Sequence, residues 1–324
     1  MTDPLVNKVS ITEQSIHLRI KFLISIEVDK KLIFATDKSL RQISLDNDEW
    51  IDIDLLTNKP INLITFDLHY KSGRLFYVDQ NFKQIRSLSF FRSTRVSSES
   101  PSFDPVLKTR TKILINDNLK KPSSIVVDQI AENLYWSDEE RHLIEVSRLD
   151  GSSRKILIDL DLNGPRCLEI LPSLGLLFFV NYETSPAKKP KQKIERAYLD
   201  GSSRFILVET DVGQINGLAL DDSSNENYDL STRLYWTDGY HKRIESITVE
   251  GKQRRTVISS GLASPSAVTI LDNYVYWYDS FHHVIERANH QTGLEYQTII
   301  ENHKNIVQIK SFSAPKQSKK FFKQ

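Results

Sequence analysis

Three aspartates close short apolar segments, and their carboxylates are the side chains in this sequence best suited to binding a hard cation. They are Asp67, Asp128 and Asp221. Calcium takes roughly six to eight oxygen ligands, but the corresponding positions of two similar segments hold Leu171 and Leu271. We therefore favour structural roles for these acids, and we keep a calcium-dependent hydrolase as a minor alternative. No G-x-S-x-G, H-E-x-x-H, P-loop or G-x-G-x-x-G motif supports an enzyme.

Histidines recur in similar surroundings, five or six residues after a tryptophan. They are His142, His241, His282 and His283. Imidazole changes charge between roughly pH 5 and pH 8, so a group of such residues could weaken a partner contact on acidification. The alternative, which we favour, is that they are exposed turn residues without a shared function.

An aromatic segment that ends in Asp or Asn returns six times along the chain. The six copies are LIFATD (Asp37), LFYVD (Asp79), LYWSD (Asp138), LFFVN (Asn181), LYWTD (Asp238) and VYWYD (Asp279). Their spacings are 42, 59, 43, 57 and 41 residues. Three of these spacings match one four-stranded propeller blade, which takes roughly 40 to 45 residues.

Each repeat also has a constant order of strand and turn signals. An apolar strand precedes the aromatic strand, and a third and a fourth strand follow, joined by tight turns with Gly151, Gly201 and Gly251. The sequence therefore predicts an all-β fold, a single six-bladed β-propeller with four antiparallel strands per blade. We expect structural roles, as hydrogen-bond acceptors or as packing between blades, for the motif residues Asp79, Tyr135, Trp136, Asp138, Tyr235, Trp236, Asp238, Tyr276, Trp277 and Asp279.

Antiparallel alternation assigns the loops to two faces. The connector that enters each blade and the turn between its second and third strands lie on one face, which we call the top. Residues 91–110 and 223–232 then belong to the bottom, whereas residues 182–193 interrupt a top turn of blade 4.

The ring must close, because an exposed strand edge invites pairing with other chains. The inner strand of blade 1 comes either from residues 306–312, which we favour, or from residues 23–28. We predict an N-terminal extension over residues 1–20, the propeller over residues 21–313 and a basic tail over residues 314–324.

Composition narrows the functional classes. The formal net charge of +1 offers no basic field for nucleic acid or for a membrane surface. The single cysteine, Cys167, excludes an internal disulfide framework and a cysteine-based metal cluster. We expect no cofactor, and we find neither a signal peptide nor an apolar run long enough to span a membrane.

The repeats resemble the YWTD propellers of the low-density-lipoprotein receptor group. The similarity runs from about residue 32 to residue 317 and is strongest in LYWSDEERHLIEVSRLDGSSRKILI, QKIERAYLDGSSRFILV and IERANHQTG. These segments are most similar to the Wnt co-receptor branch, the arrow-type proteins, and the ending TIIENHKNIVQIKSFSAPKQ is most similar to the close of their second propeller.

This resemblance implies an extracellular module of a membrane receptor that binds secreted proteins, Wnt-type ligands or antagonists, through its top face. An endocytic lipoprotein-type receptor with pH-dependent release is the second possibility. The chain departs from the family in lacking a cysteine-rich EGF-like module, and in the basic residues Lys188, Lys189, Lys191 and Lys193 on a face that is usually acidic and aromatic. Aromatic anchors dominate interface hot spots, and the candidate partner-binding residues are Phe82, Glu139, Glu140, Tyr182, Asn216, Tyr240, Phe281 and His282.

Overall fold

A computed structural model describes residues 30–45, 50–53, 61–89, 111–185, 188–221 and 230–313. These residues form strands and one short 3-10 turn, Pro172–Leu174. The strands are β1 (Lys30–Thr36), β2 (Leu40–Ser44), β3 (Trp50–Ile53), β4 (Leu63–His69), β5 (Arg74–Asp79), β6 (Gln84–Ser89), β7 (Thr111–Ile115), β8 (Pro122–Asp128), β9 (Asn133–Asp138), β10 (Leu143–Arg148), β11 (Lys155–Ile158), β12 (Arg166–Leu171), β13 (Leu176–Ser185), β14 (Lys188–Tyr198), β15 (Phe205–Val208), β16 (Ile215–Leu220), β17 (Arg233–Asp238), β18 (Arg243–Thr248), β19 (Arg255–Ile258), β20 (Pro265–Leu271), β21 (Tyr274–Asp279), β22 (Val284–Asn289), β23 (Gln297–Ile300) and β24 (Ile306–Ser313).

Six antiparallel four-stranded sheets form the predicted propeller. Blade 1 has the order β24-β1-β2-β3, and blades 2 to 6 each take four consecutive strands from β4 onwards. The inner strands pack against one another in the ring β24, β4, β8, β12, β16, β20. The last strand closes the ring, because β24 pairs with β1 in a register that joins Phe34 to Ile309. This confirms closure by the C-terminal strand; residues 23–28 lie outside the described part.

The core consists of apolar layers between neighbouring blades. Each layer joins buried residues of two adjacent sheets, and the second strand of each blade is buried on both faces. Successive residues of a strand point to opposite faces, so Tyr235 packs towards blade 6 while Trp236 packs towards blade 4. The aromatic pair therefore fills two layers at once.

The turn between the third and fourth strands provides an outer contact between blades. Gly201 has φ +85°, and a Cβ atom built on it would lie 2.5 Å from the carbonyl oxygen of Leu157 in the preceding blade. Gly151 has the same relation to Leu114, at 2.8 Å. Glycine is required at these turns both for the backbone angle and for the close approach.

Blade 4 differs from the prediction on the top face. Residues 182–193 were expected to interrupt a turn, but the ladder continues through them, and β13 and β14 pair as far as Ser185 and Lys188. Pairing satisfies backbone groups that a loop would leave to water, so the insertion forms a two-stranded ribbon beyond the four-stranded sheet. Residues 90–110 and 222–229, which hold most of the predicted bottom insertions, lie outside the described part, as do the predicted termini 1–20 and 314–324.

Charged side chains meet near the propeller axis. Lys310 Nζ on β24 lies 2.6 Å from Glu169 Oε1 on β12, and both side chains are largely buried. These two strands belong to blades 1 and 4, which face each other across the ring. Burial raises the pKa of nearby Asp67, although Lys310 and backbone amides favour its charged form. The ion pair therefore connects opposite blades through the centre.

Candidate functional site

The top face is built from polar segments that the motif acids hold in place. Asp138 ends β9, and its carboxylate accepts hydrogen bonds from the amides of Lys120 and Lys121 at 2.8 and 3.0 Å. It also accepts one from the amide of Arg141 in the following turn, at 3.1 Å. One buried carboxylate thus fixes both the connector that enters blade 3 and the top turn of that blade.

Blades 5 and 6 repeat this geometry. Burial opposes ionisation of Asp238, but hydrogen bonds from the His241 side chain and the backbone amides of Gly213 and Gln214 outweigh it, so its pKa lies below the ordinary value. Burial likewise opposes ionisation of Asp279, and backbone amides in its connector and top turn lower its pKa in the same way. The negative charge of these acids is therefore stabilised by fixed donors.

Blade 4 carries Asn181 in place of the acid. Its oxygen accepts the amide of Asn163 at 2.8 Å, and its Nδ2 donates to the carbonyl of Asp161 at 3.0 Å and to Glu195 at 2.8 Å. An amide can serve here because the position then has a donor as well as an acceptor, and a neighbouring carboxylate receives that donor.

The four histidines occupy two different places rather than one cluster. His241 and His282 follow the motif acid by three residues, and their Nδ1 atoms lie 2.7 Å from Asp238 and 3.5 Å from Asp279. His142 and His283 are one residue further on, with φ of 54° and 61°. His241 and His282 therefore contact buried carboxylates, whereas His142 and His283 occupy the left-handed backbone position of their top turns.

Two of the candidate partner-binding residues are prominent aromatic side chains. Tyr240 is 74% exposed and Phe281 is 72% exposed, each in the top turn of its blade. Each ring meets the following histidine edge to face, with centroids 5.0 and 5.3 Å apart. Phe82 is 37% exposed, and the Arg86 guanidinium lies over its ring. Glu140 is also exposed.

The remaining candidates have intramolecular partners. Glu139 forms an ion pair with Lys121 at 2.6 Å, and Asn216 donates to the carbonyl of Pro265 at 3.0 Å. The ring of Tyr182 lies under the Arg166 guanidinium at the base of the blade 4 ribbon. These contacts suit residues that shape the face, and a direct role in binding stays a prediction for all eight candidates.

The acids considered for a cation do not converge. Asp128 accepts the amides of Ile130 and Ala131, both at 2.8 Å, and so caps a bottom turn. Asp221 lies 3.7 Å from His290, near the bottom of the seam between blades 5 and 6. Within the described ranges, no group of three His, Cys, Asp or Glu side chains is arranged to hold a metal ion.

Sequence reasoning missed a set of buried glutamates on the third strands. Glu145, Glu195 and Glu245 are almost fully buried, and each meets an arginine nine residues later, which is Arg154, Arg204 or Arg254. The signal was present in two blades, since Glu145 and Glu245 stand seven residues after Asp138 and Asp238, and the repeat places an arginine after each turn; in blade 4 the inserted ribbon moves Glu195 to fourteen residues after Asn181. A glutamate among polar residues is expected to be solvent-exposed, and only the structure shows that it is buried beside an arginine.

Comparisons with known proteins agree with this architecture. The family described as "Low-density lipoprotein receptor repeat class B" matches residues 132–168 and 232–270. A solved structure of a nidogen/laminin complex superposes with a TM-score of 0.70 over 87% of this chain and 98% of that chain. At 21% identity, this likeness shows the fold alone.

Relatives among characterised proteins are receptors by name. The human low-density lipoprotein receptor-related protein 5-like protein is 31% identical over 63% of this chain and 75% of its own length. The vitellogenin receptor of Solenopsis invicta is 27% identical over 73% of this chain but only 13% of that receptor. Mouse low-density lipoprotein receptor-related protein 5 is 32% identical, and the match covers 54% of this chain and 10% of the relative.

The chain thus spans three quarters of one relative and about a tenth of the larger receptors. Across the ranges that the structure describes, no helix is long and apolar enough to cross a membrane. The repeats, the six blades and the degree of identity agree with one another. The chain belongs to the low-density-lipoprotein-receptor-related proteins built from class B, or YWTD, repeats.

Proposed function

We propose that this propeller is the ligand-binding part of a Wnt co-receptor-like protein and recognises secreted protein ligands, of the Wnt type or their antagonists, through its top face. It acts outside the cell as part of a membrane receptor. Recognition uses a preformed surface, and no bond is made or broken. Its correspondence to the second propeller of arrow-type proteins stays a prediction.

One observation carries this proposal above the others. Tyr240 and Phe281 expose large rings on adjacent blades, while the backbone beneath each is fixed by a buried carboxylate. Aromatic side chains on a rigid base lose little conformational entropy on binding. Such a surface fits a protein partner better than a small substrate.

The receptor family is not enzymatic, which removes the hydrolase considered from the sequence. The relatives are named as receptors or receptor-related proteins, and none is named as a catalyst. These points favour binding, and not catalysis, as the function of this chain.

The test is a binding survey with purified propeller against secreted Wnt-type ligands and antagonists, measured by surface plasmon resonance. For a ligand that binds, Tyr240→Ala and Phe281→Ala should each weaken affinity by about tenfold or more, as truncation of an interface anchor does. Ile130→Ala is the matched control, because this residue is 71% exposed on a bottom turn. Equal effects of top and bottom variants would contradict the docking face.

A second candidate function is endocytic uptake with release in acidic compartments. The observation that favours it is the contact of His241 and His282 with Asp238 and Asp279 beside the exposed rings. Protonation adds positive charge at the docking face. Dissociation constants measured at neutral pH and near pH 5.5 would decide, since an unchanged value excludes the switch, and His241→Gln with His282→Gln should abolish any difference.

A further inference from the structure

The connectors that enter blades 3, 4 and 5 share an unusual backbone. Each contains one non-glycine residue in the left-handed region, Asn118, Asp161 or Asp211, with φ of 48°, 50° and 50°. Asn and Asp tolerate this region better than most residues, but it is still sparsely populated. Something must hold three connectors in the same strained shape.

In blade 5 the connector is held by the guanidinium of Arg254, the residue directly before the outermost strand β19. Arg254 binds Glu245 through Nε and NH2 at 3.1 and 2.8 Å. Its NH1 donates to the carbonyl of Thr210 at 2.6 Å, and its NH2 donates to the carbonyl of Asp211 at 2.9 Å. The guanidinium also lies over the Trp236 ring, 5.3 Å from the centroid.

The same connector is held from the inside by the motif acid. Asp238 accepts the amides of Gly213 and Gln214 at 2.9 and 3.1 Å. The connector therefore has its amides fixed by Asp238 and its carbonyls fixed by Arg254, with Arg243 as a second donor to the Asp211 carbonyl. Both kinds of backbone group are satisfied without water.

This connector supports the most exposed aromatic side chain of the top face. A Cβ atom built on Gly213 would lie 2.6 Å from Cβ of Tyr240 and 2.9 Å from Cδ1 of the same side chain. Tyr240 thus rests directly on the connector backbone. Moving the connector must move the ring.

Blade 6 shows what happens without the arginine. There Tyr296 donates its hydroxyl to Glu286 and packs edge to face on Trp277, with centroids 5.3 Å apart. A phenol satisfies the buried acid, but it has a single donor and no second hydrogen to give to a carbonyl. The left-handed residue of that connector is Gly261, which adopts φ 78° at little cost.

We propose that Arg254 is a positioning residue for ligand recognition: it fixes the connector that enters blade 5 and thereby places Tyr240 on the top face. Arg154 and Arg204 do the same for the connectors of their own blades, through carbonyls of Asp117 and Asn118 and of Leu160 and Asp161. The link to recognition rests on the proposed function; the positioning itself does not.

The test introduces into blade 5 a tyrosine like Tyr296, which binds the buried glutamate of blade 6. Arg254→Tyr keeps a donor for Glu245 over a tryptophan but removes both carbonyl contacts of Arg254, so that the Thr210 carbonyl loses this donor and the Asp211 carbonyl is left with Arg243. Hydrogen–deuterium exchange of the amides at residues 210–214 should rise at least about tenfold, the scale expected when charge-assisted hydrogen bonds are lost. Global exchange and the unfolding temperature should stay near the wild-type values.

Arg233→Met is the matched control, because Arg233 binds carbonyls of Ser246 and Gln253 at the bottom of the same blade. It should leave exchange at residues 210–214 unchanged. Unchanged exchange there in Arg254→Tyr, or a rise spread evenly over the propeller, overturns the positioning role. If the tyrosine variant does not fold, Glu245→Gln with Arg254→Met removes the buried charge together with the contacts and is judged by the same readout.

No ligand is needed for this measurement, so it stands even if the survey finds no partner. Where a ligand is found, Arg254→Tyr should weaken binding in the same direction as Tyr240→Ala, and the double variant should be no weaker than Tyr240→Ala alone. Additive losses in that double variant would overturn the link from Arg254 to Tyr240.

Discussion

At the scale of single residues, the top turns of blades 3, 5 and 6 depend on carboxylates that are buried and held by backbone amides. Asp279 accepts amides from Ala263, Ser264, Phe281 and His282 at 2.7 to 3.1 Å. Burying a charge is costly unless fixed donors replace water. The recurring acid is therefore kept by geometry, and the rings beside it can be exposed without loosening the turn.

Removing that acid should damage the fold more than neutralising it. Asp279→Ala leaves four amides without their acceptor, and we expect a loss of about 3 kcal/mol in the free energy of unfolding. Asp279→Asn keeps an acceptor, as Asn181 does in blade 4, and should cost less. Urea unfolding provides the measurement, with exposed Asp159→Ala as a control that changes stability little. Equal losses for Ala and Asn would contradict the acceptor role.

A buried histidine gives the propeller a pH dependence of its own. His290 is almost fully buried, its Nδ1 lies 2.7 Å from the Tyr235 hydroxyl, and Asp221, Arg233 and Arg255 are the charged groups around it. Burial lowers its pKa despite the attraction of Asp221. The unfolded chain, with a histidine pKa of about 6.5, then binds the proton first. Stability should fall as pH drops below that value.

The pH effect is measured as the change in unfolding temperature between about pH 7.5 and pH 5.5. His290→Asn should show a smaller change than the wild type, because a group whose pKa is lower in the folded than in the unfolded state is gone. Exposed His142→Asn should behave like the wild type. If the unfolding temperature of His290→Asn changes with pH as much as that of the wild type, His290 is not the source of the pH dependence.

At the scale of elements, strand order and blade count could be predicted because the period of the motif is fixed by four strands and three turns. A closing strand could also be predicted, because an open ring leaves a strand edge exposed, and the favoured C-terminal segment is the one that pairs with β1. The ribbon of blade 4 was mistaken for a loop because its lysines and proline suggest solvent-exposed turn residues. The Glu245–Arg254 pair was overlooked because charge in a sequence gives no measure of burial.

Two turn glycines allow the cost of a strained backbone angle to be compared with the cost of a steric clash. Gly201 and Gly175 both have positive φ, but Gly201 faces the Leu157 carbonyl at 2.5 Å, whereas no atom lies within 4 Å of a Cβ on Gly175. We expect Gly201→Ala to cost roughly 3 kcal/mol and Gly175→Ala about 1 kcal/mol, the cost of the backbone angle alone. Equal losses in urea unfolding would show that the approach between blades 3 and 4 relaxes freely.

At the scale of the whole molecule, the ring is held together both around its circumference and across its centre. Neighbouring blades share apolar layers, while Lys310 and Glu169 join opposite blades on the axis. The charges that meet there were overlooked from the sequence, because Lys310 and Glu169 lie far apart in the chain and only the closed ring brings them together.

Removing only the lysine of the axial pair should destabilise the propeller more than replacing both members of the pair with apolar residues. Lys310→Met leaves Glu169 and Asp67 buried without their cation, and we expect a loss of roughly 3 to 5 kcal/mol. Lys310→Met with Glu169→Leu should recover the part of that loss that comes from Glu169, since only Asp67, which keeps the amides of Leu68 and Val127, then remains buried without the lysine. Lys71→Ala, which removes an exposed ion pair with Glu132, is the control. A double variant as unstable as the single one would contradict this account of the axis.

Closure by β24 also has a consequence for synthesis on the ribosome. Blade 1 receives three of its strands first and its innermost strand last, some 260 residues later. Until residue 313 has left the exit tunnel, blade 1 presents an unpaired β1 edge, and the inner strands of blades 2 and 6, β4 and β20, each lack β24 as a neighbour. Blade 1 must therefore wait for β24, and chaperones that shield strand edges have their target in blade 1 until that strand has been made.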